Sequence, residues 1–84
     1  MYHVYILECS DTTLYTGITN DLEKRLERHR SGQGGRYTRS KTGITLVYSE
    51  EVENRSVGLK REAEIKRWTR QKKLNLIQFG HPKV

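Results

Sequence analysis

The sequence predicts an α+β fold: a small three-stranded antiparallel sheet flanked by helices, in the order β-β-α-β-α-α. Three short runs rich in β-branched and aromatic residues are separated by turn signals, which indicates strands. Three polar segments each begin at a capping residue, which indicates helices. With 84 residues there is room for one compact core, so residues 1–84 are expected to form a single domain.

The first strand, YHVYILEC at 2–9, is apolar on both alternating sets of side chains. Such a strand is covered on both faces, so we place it at the centre of the sheet. SDTT at 10–13 supplies turn residues, and LYTGI at 14–18 follows as the second strand of an antiparallel hairpin. ITLVYSEEV at 44–52 is the third strand.

Capping signals define the helices. Asn20, followed by a Glu three residues later, resembles a capping box, and Asn54 and Thr69 are suitable first residues for the second and third helices. The third helix is expected to end near Gly80. The predicted helical segments are 19–32, 54–68 and 70–79.

The charge distribution favours a polyanionic partner. Residues 1–29 hold three basic and five acidic residues (net −2), whereas residues 30–84 hold thirteen basic and five acidic (net +8). Part of the positive charge lies in a Gly-rich segment at 32–43 that we expect to be a flexible loop. A nucleic-acid backbone is the commonest polyanion for such a surface, with DNA the expected partner. Charge that only keeps the domain in solution is the alternative.

Composition also bears on cellular location. The single cysteine, Cys9, cannot form an internal disulfide, which suits a reducing compartment, and we expect a cytoplasmic protein. Cys9 itself is expected to be a small structural residue. No apolar run approaches the roughly 18 residues needed to span a bilayer.

One carboxylate stands out in REAEIKRW at 61–68. At about 100° per residue, Glu62 falls among Gly58, Leu59, Ala63 and Ile65, a plausible core-facing stripe. An unpaired carboxylate there would cost several kcal/mol, on the order of the penalty for a buried charge. Glu62 should therefore bind a cation, and an ion pair with Lys66 four residues later is the simpler alternative.

Other polar side chains are expected to converge on the same place. Arg25 and His29 lie one turn apart on the buried side of the first helix, and Tyr5 and Tyr15 share strand faces with Gly17, which leaves room. Simpler alternatives remain open for each. In these alternatives, the two tyrosines are ordinary strand aromatics, Arg25 pairs with the Asp four residues earlier, and His29 interacts with the helix dipole.

HVY at 3–5, YTG at 15–17, ITNDLEKRLERH at 18–29 and REAEIKRW at 61–68 together resemble the GIY-YIG nuclease domain. The resemblance covers nearly the whole chain and is strongest to small bacterial proteins made of that domain alone. The family also includes homing endonucleases, the nuclease module of an excision-repair subunit and junction nucleases. This chain departs from the motif pattern at His3, Val4 and Thr16, where the family has Gly, Ile and Ile.

The resemblance implies a metal-dependent endonuclease that hydrolyses phosphodiester bonds of DNA, with a role in repair or recombination. The sequence has no recognition-helix, zinc-finger or RNA-motif signature, so we expect substrates to be selected by structure rather than by base sequence. It assigns Tyr5 and Tyr15 to the motif tyrosines, Arg25 to the catalytic arginine, His29 to a polar position near the site, and Glu62 to the single metal-binding carboxylate. The implied cofactor is one Mg²⁺ or Mn²⁺, which suits one carboxylate because Mg²⁺ keeps most of its waters. Asn75 is a loose further candidate.

Chemistry agrees with these roles. Arg25 presents a planar fork to phosphate oxygens, and Tyr5 is the candidate to take a proton from the attacking water. A free phenol is only about 0.1% ionised at neutral pH, so its neighbours must favour deprotonation. The basic residues expected to bind the nucleic-acid backbone are Arg36, Arg39, Lys41, Lys66, Arg70 and Lys73.

Two other functions compete with the nuclease. A nucleic-acid-binding module without catalysis, using the basic half and Tyr37, explains the charge equally well but not Glu62. A small subunit that docks on a larger protein is the third possibility. The substrate stays open among branched, nicked and single-stranded DNA and RNA, and a monomer is expected.

Overall fold

The computed structural model describes residues 1–31 and 43–80. Its elements are β1 (Tyr2–Glu8), β2 (Leu14–Thr19), α1 (Leu22–Arg30), β3 (Thr45–Val52), α2 (Arg55–Lys66) and α3 (Arg70–Phe79). This is the predicted α+β architecture in the predicted order. The Gly-rich basic segment between α1 and β3 lies almost entirely outside the described residues. Within the described part of the chain, no helix is long and apolar enough to cross a membrane.

The three strands form one antiparallel sheet in the order β2-β1-β3, so β1 is central as its apolar pattern predicts. In this sheet Tyr5 lies opposite Gly17 of β2 and Ser49 of β3. The pairing with β3 slips by one residue between Ile6 and Leu7, which leaves Val47 unopposed as a β-bulge. Strand patterning did not predict this bulge, because the extra residue is itself apolar.

Helices α2 and α3 cover one face of the sheet. On this face Val4 and Ile6 of β1 pack with Ile65 of α2 and Leu76 of α3, and all four side chains are fully buried. Fully burying an aliphatic side chain contributes about 1.5–3 kcal/mol, so these residues supply a large part of the domain's stability.

Helix α1 covers the opposite face. Tyr5 and Leu7 are fully buried there, together with Cys9, and Leu22 and Leu26 of α1 pack against them. The burial of Cys9 agrees with a structural role. Tyr5 is therefore part of this second core, and its hydroxyl is buried inside the folded domain.

The first residue of α1 differs from the prediction. Asp21, not Asn20, is the N-cap, and its carboxylate accepts a hydrogen bond from the Lys24 backbone N–H at 3.2 Å. Thr19 explains the shift: its hydroxyl accepts from the Asp21 N–H at 3.1 Å and so fixes the residues before the helix. The predicted capping box at Asn20 is therefore wrong by one residue, because two adjacent residues both have capping side chains.

The other two helices begin where capping chemistry predicts. Asn54 accepts from the Val57 N–H at 2.9 Å at the start of α2, and Thr69 accepts from the Lys72 N–H at 3.2 Å at the start of α3. Helix α3 ends at Gly80 with φ of 79°, a left-handed conformation that glycine adopts without strain.

The junction of α2 and α3 is built around the single tryptophan. The guanidinium carbon of Arg61 lies 5.2 Å from the ring centre of Trp68, and the Lys72 ammonium lies 4.8 Å from it. Arg61 also bonds to Glu50 of β3 at 2.9 Å. This cluster ties both helices to the sheet through charge and aromatic contacts.

Candidate active site

The centre of the candidate site is the Tyr5 hydroxyl. Tyr5 has no exposed surface, and its ring crosses the backbone of Gly17, its partner on β2. A Cβ at Gly17 would lie 2.5 Å from the Tyr5 oxygen, 2.7 Å from Tyr5 Cζ and 3.1 Å from Tyr15 Cε2. Glycine is required here because two tyrosine rings occupy the space that any other side chain would fill.

Helix α1 supplies two further groups from successive turns. His29 is fully buried, and its Nε2 lies 2.9 Å from the Tyr5 oxygen. Arg25 is half-buried, and its Nε donates to the same oxygen at 3.4 Å. The Tyr15 ring completes the group, with its centre 5.1 Å from that of His29 and 6.4 Å from that of Tyr5. The structure thus gathers four of the five predicted catalytic side chains, Tyr5, Tyr15, Arg25 and His29, in one cluster.

The environment sets the protonation of this cluster. Burial raises the pKa of the Tyr5 phenol; the Arg25 hydrogen bond acts in the opposite direction, and Tyr15 and the Glu62 charge add to the increase. Burial also lowers the pKa of His29, and the Arg25 charge adds to this effect. His29 is therefore neutral at pH 7. Because Arg25 can only donate, the Tyr5 oxygen accepts that bond. In the Nδ1–H tautomer of His29, Nε2 accepts the proton of the Tyr5 hydroxyl.

Glu62 lies on α2, and the structure shows its carboxylate in an ion pair. Its Oε2 is 3.2 Å from the Lys66 ammonium, the i,i+4 partner that the simpler alternative named. The Glu62 side chain is 17% exposed, against 52% for Lys66. Its charge still contributes to raising the pKa of Tyr5, so it acts electrostatically on the cluster.

The predicted apolar stripe around Glu62 is partly wrong. Gly58 and Ile65 are buried, but Leu59 is 37% exposed and Ala63 is exposed as well. Gly58 and Ile65 are two turns apart and define a narrow line of contact. At about 100° per residue, Glu62 lies about 40° from Gly58, whereas Leu59 and Ala63 lie about 100° and 140° away. The carboxylate is thus nearer the sheet than two of the apolar residues that were expected to surround it.

A divalent cation at this site would depend on Glu62. Within residues 1–31 and 43–80 there is no cluster of three or more His, Cys, Asp or Glu side chains that could hold a metal ion. A closed four-ligand site is therefore absent from the described chain. One accessible carboxylate completed by water is, however, a coordination that Mg²⁺ accepts. The donor chemistry fits Mg²⁺ or Mn²⁺ and does not fit a structural zinc site.

The remaining predicted residues are scattered. Lys66 pairs with Glu62, Lys73 is half-buried, and Arg70 is exposed in the first turn of α3. The Asn75 side-chain oxygen accepts a hydrogen bond from the Gln71 amide at 3.0 Å. Three predicted backbone-binding residues and the loop aromatic lie outside the described residues: Arg36, Arg39, Lys41 and Tyr37.

His3 occupies the position of the motif glycine at the start of β1. Its Nε2 lies 3.8 Å from the Glu51 carboxylate of β3. Its Nδ1 is buried and has no hydrogen-bond partner within the described part of the chain. The added bulk at this position is therefore accommodated beside β3.

Two basic residues near the cluster were missed. Lys24 and Arg28 line a polar groove of about 240 Å³ together with Arg25. Net charge does not reveal them, because residues 1–29 are acidic overall. Their i,i+4 spacing on the helix that carries Arg25 is the signal that could have found them.

Comparison with known proteins identifies the family of this chain. The model of the GIY-YIG catalytic domain matches residues 1–75, and the chain belongs to this family. Its relatives include UPF0213 proteins of Haloquadratum walsbyi (49% identical over 79 residues, 94% of this chain and 89% of the relative) and Staphylococcus aureus (52% over 77 residues, 92% and 94%).

Two solution NMR structures share the fold. A UPF0213 protein from Bacillus halodurans has 36% identity and a TM-score of 0.62, and the match covers 96% of this chain and 87% of that one. A protein from E. faecalis has 34% identity and a TM-score of 0.66, with 99% and 88% covered.

Proposed function

We propose that this protein is a metal-dependent endonuclease that hydrolyses phosphodiester bonds of DNA. The observation that supports this most is the Tyr5 hydroxyl, held inside the domain between a guanidinium and a neutral imidazole. The groups around it bind phosphate oxygens or transfer protons, which favours recognition of backbone structure over base sequence. A role in repair or recombination stays a prediction from the family resemblance.

Tyr5 and His29 form a proton relay in this proposal. The raised pKa of Tyr5 makes a free phenolate scarce at neutral pH. If Tyr5 takes the proton of the attacking water while its own proton passes to His29 Nε2, no free phenolate is required. The 2.9 Å separation is within the range for such a transfer. Negative charge developing on the phosphate favours the imidazolium that results.

Arg25 stabilises the reacting phosphate. Its Nε–H donates a hydrogen bond to the Tyr5 hydroxyl. Because a guanidinium has five N–H donors in all, further donors remain for phosphate oxygens. The hydrogen bond with Tyr5 raises the pKa of Arg25, so the group stays charged throughout. Removing one such electrostatic stabiliser typically lowers kcat about 10²–10³-fold.

Glu62 would hold the divalent cation. A bound Mg²⁺ or Mn²⁺ would supply Lewis-acid stabilisation of the phosphate and the leaving group. The Lys66 ammonium lies 3.2 Å from this carboxylate. On metal binding it would have to move away or share the carboxylate with the cation.

Cleavage assays test the proposal directly. End-labelled duplex, flap, four-way-junction and single-stranded DNA, with matching RNA, would be incubated with Mg²⁺, Mn²⁺ or EDTA. We expect metal-dependent cuts by the wild type and a loss of about 10²-fold or more in Tyr5→Phe, Arg25→Ala and Glu62→Gln. Glu64→Gln is the matched control, because that carboxylate lies on the same helix and bonds to Arg61 at 2.7 Å. Full activity in Glu62→Gln would remove it as the metal ligand.

A binding module without catalysis is the second candidate. The Glu62–Lys66 ion pair favours it, because the one candidate metal-binding carboxylate already has a cation as partner. A pure binder would show a steep dependence of affinity on salt and no response to Mg²⁺. Binding without cleavage of any substrate by the wild type would select this alternative.

A further inference from the structure

Two grooves open on the surface beside the candidate site. The first, the helix groove, has a volume of about 240 Å³ and is lined by Thr19, Asn20, Asp21, Lys24, Arg25 and Arg28. The second, the strand groove, has a volume of about 320 Å³ and is lined by Leu14, Tyr15, Thr16, Lys66 and Lys73. Each is open to solvent and is lined by at least two basic side chains.

Each groove is lined by one residue of the cluster formed by Tyr5, Tyr15, Arg25 and His29. Arg25 lines the helix groove and donates to the Tyr5 hydroxyl. Tyr15 lines the strand groove and packs edge-on against His29, whose Nε2 lies 2.9 Å from the same hydroxyl. A strand that occupied both grooves would therefore touch this cluster at Arg25 and at Tyr15.

The charge of each groove suits phosphate. In the helix groove Lys24, Arg25 and Arg28 face one acid, Asp21, which is already engaged as the N-cap of α1. In the strand groove Lys73 is half-buried, and Lys66 shares its charge with Glu62. Lys24 and Arg28 are exposed and one turn apart, which places two donors along one direction. Such rows of basic side chains bind a chain of phosphates better than a single one.

We propose that the two grooves bind backbone phosphates on opposite sides of the cleaved bond, so that one nucleic-acid strand crosses the site and is cut internally. This inference rests on the proposed function and adds Lys24 and Arg28 as binding residues. It makes cleavage depend on phosphates flanking the reacting one on both sides. A phosphodiester at the very end of a strand, with an empty groove on one side, should then be a poor substrate.

Binding measurements in EDTA test the grooves without requiring catalysis. Fluorescein-labelled single-stranded and duplex oligonucleotides would be titrated at several salt concentrations with the wild type, Lys24→Ala/Arg28→Ala and Lys73→Ala. The control is Arg55→Ala/Lys60→Ala, which removes two exposed positive charges of α2 that line neither groove. Circular dichroism would check that all variants are folded.

The salt dependence gives the readout. Each phosphate contact contributes about 0.7–0.9 to the slope of log K against log salt, so the helix-groove double variant should lower the slope by about 1.4–1.8 and Lys73→Ala by about half of that. The control should leave the slope within about 0.3 of the wild type. A helix-groove variant whose slope equals that of the control would refute the proposal.

A cleavage arm locates the contacts. A single neutral methylphosphonate placed in the oligonucleotide should suppress cuts at bonds on both its 5′ and 3′ sides in the wild type, and on one side only in Lys24→Ala/Arg28→Ala. Suppression unaffected by this variant would also overturn the proposal. If the wild type never cuts but the slopes change as expected, the grooves stand and the proposed catalysis fails. If the wild type cuts but the slopes stay unchanged, the catalysis stands and the grooves fail.

Discussion

Substituting Gly17 with alanine should destabilise the domain through Tyr5 in particular. The new Cβ would lie 2.5 Å from the Tyr5 oxygen, where ordinary contacts are 3.4–4 Å. Tyr5 is fully buried and hydrogen-bonded to His29 at 2.9 Å, so its ring cannot retreat by the missing ångström without breaking that bond. Overpacking costs about 1–3 kcal/mol, against a gain of about 0.5–1 kcal/mol for removing glycine from a strand.

The net effect should be a loss of roughly 1–2 kcal/mol, or a fall in Tm of about 4–16 °C for a domain of this size. Thermal and urea unfolding followed by circular dichroism would measure it. The matched background is Tyr5→Leu, which has no atoms at the positions of the phenol oxygen and Cζ. There Gly17→Ala should cost much less, because only the 3.1 Å contact with Tyr15 Cε2 remains. An equal loss in both backgrounds would refute the clash with Tyr5 as its cause, as would a wild-type Tm for Gly17→Ala alone.

Two further predictions concern stability. Gly58→Ala should destabilise the domain by about 1 kcal/mol, because the new Cβ would overlap Ile18 Cδ1 and lie 3.2 Å from Val52 Cγ2, which costs more than the gain in helix propensity. In an Ile18→Val background, urea unfolding should show that this loss of stability shrinks or reverses. An unchanged loss in that background would contradict the clash with Ile18. The second prediction is that the unfolding free energy falls as pH drops below about 6.5, because the lowered pKa of His29 lets the unfolded chain bind a proton that the folded chain refuses. His29→Gln should weaken this pH dependence between pH 7.5 and 5, whereas an identical slope in the variant would assign it to other groups.

Local chemistry explains what the sequence could predict of the fold. The double-sided apolar pattern of β1 predicts its central place, and Asn54 and Thr69 predict two helix starts. The predictions failed at the start of α1 and at the bulge in β3. Two adjacent residues can both cap α1, and only the hydrogen bonds of Thr19 select Asp21. The bulge at Val47 depends on pairing between strands far apart in sequence, which periodicity does not encode.

The candidate site was predictable to a similar degree. Helical spacing predicted that Arg25 and His29 lie together, and the alternation of the hairpin predicted that Tyr5 and Tyr15 share strand faces with Gly17. Distances could not follow from the sequence, since they depend on how closely α1 packs against β1. The predicted surroundings of Glu62 were only partly correct, because the part of α2 that contacts the sheet is narrower than the stripe of apolar residues on the helix.

The lone tryptophan gives the protein a built-in optical reporter. Trp68 lies against the core on the α2–α3 side of the sheet and is held between Arg61 and Lys72, whereas Tyr5 faces α1 on the other side. Its fluorescence should therefore report the docking of the last two helices, with little direct response to substitutions around the phenol. A site variant that changes activity but keeps the emission of Trp68 would have an intact domain. The same fluorescence measurement would therefore distinguish a chemical effect of the substitution from a structural one.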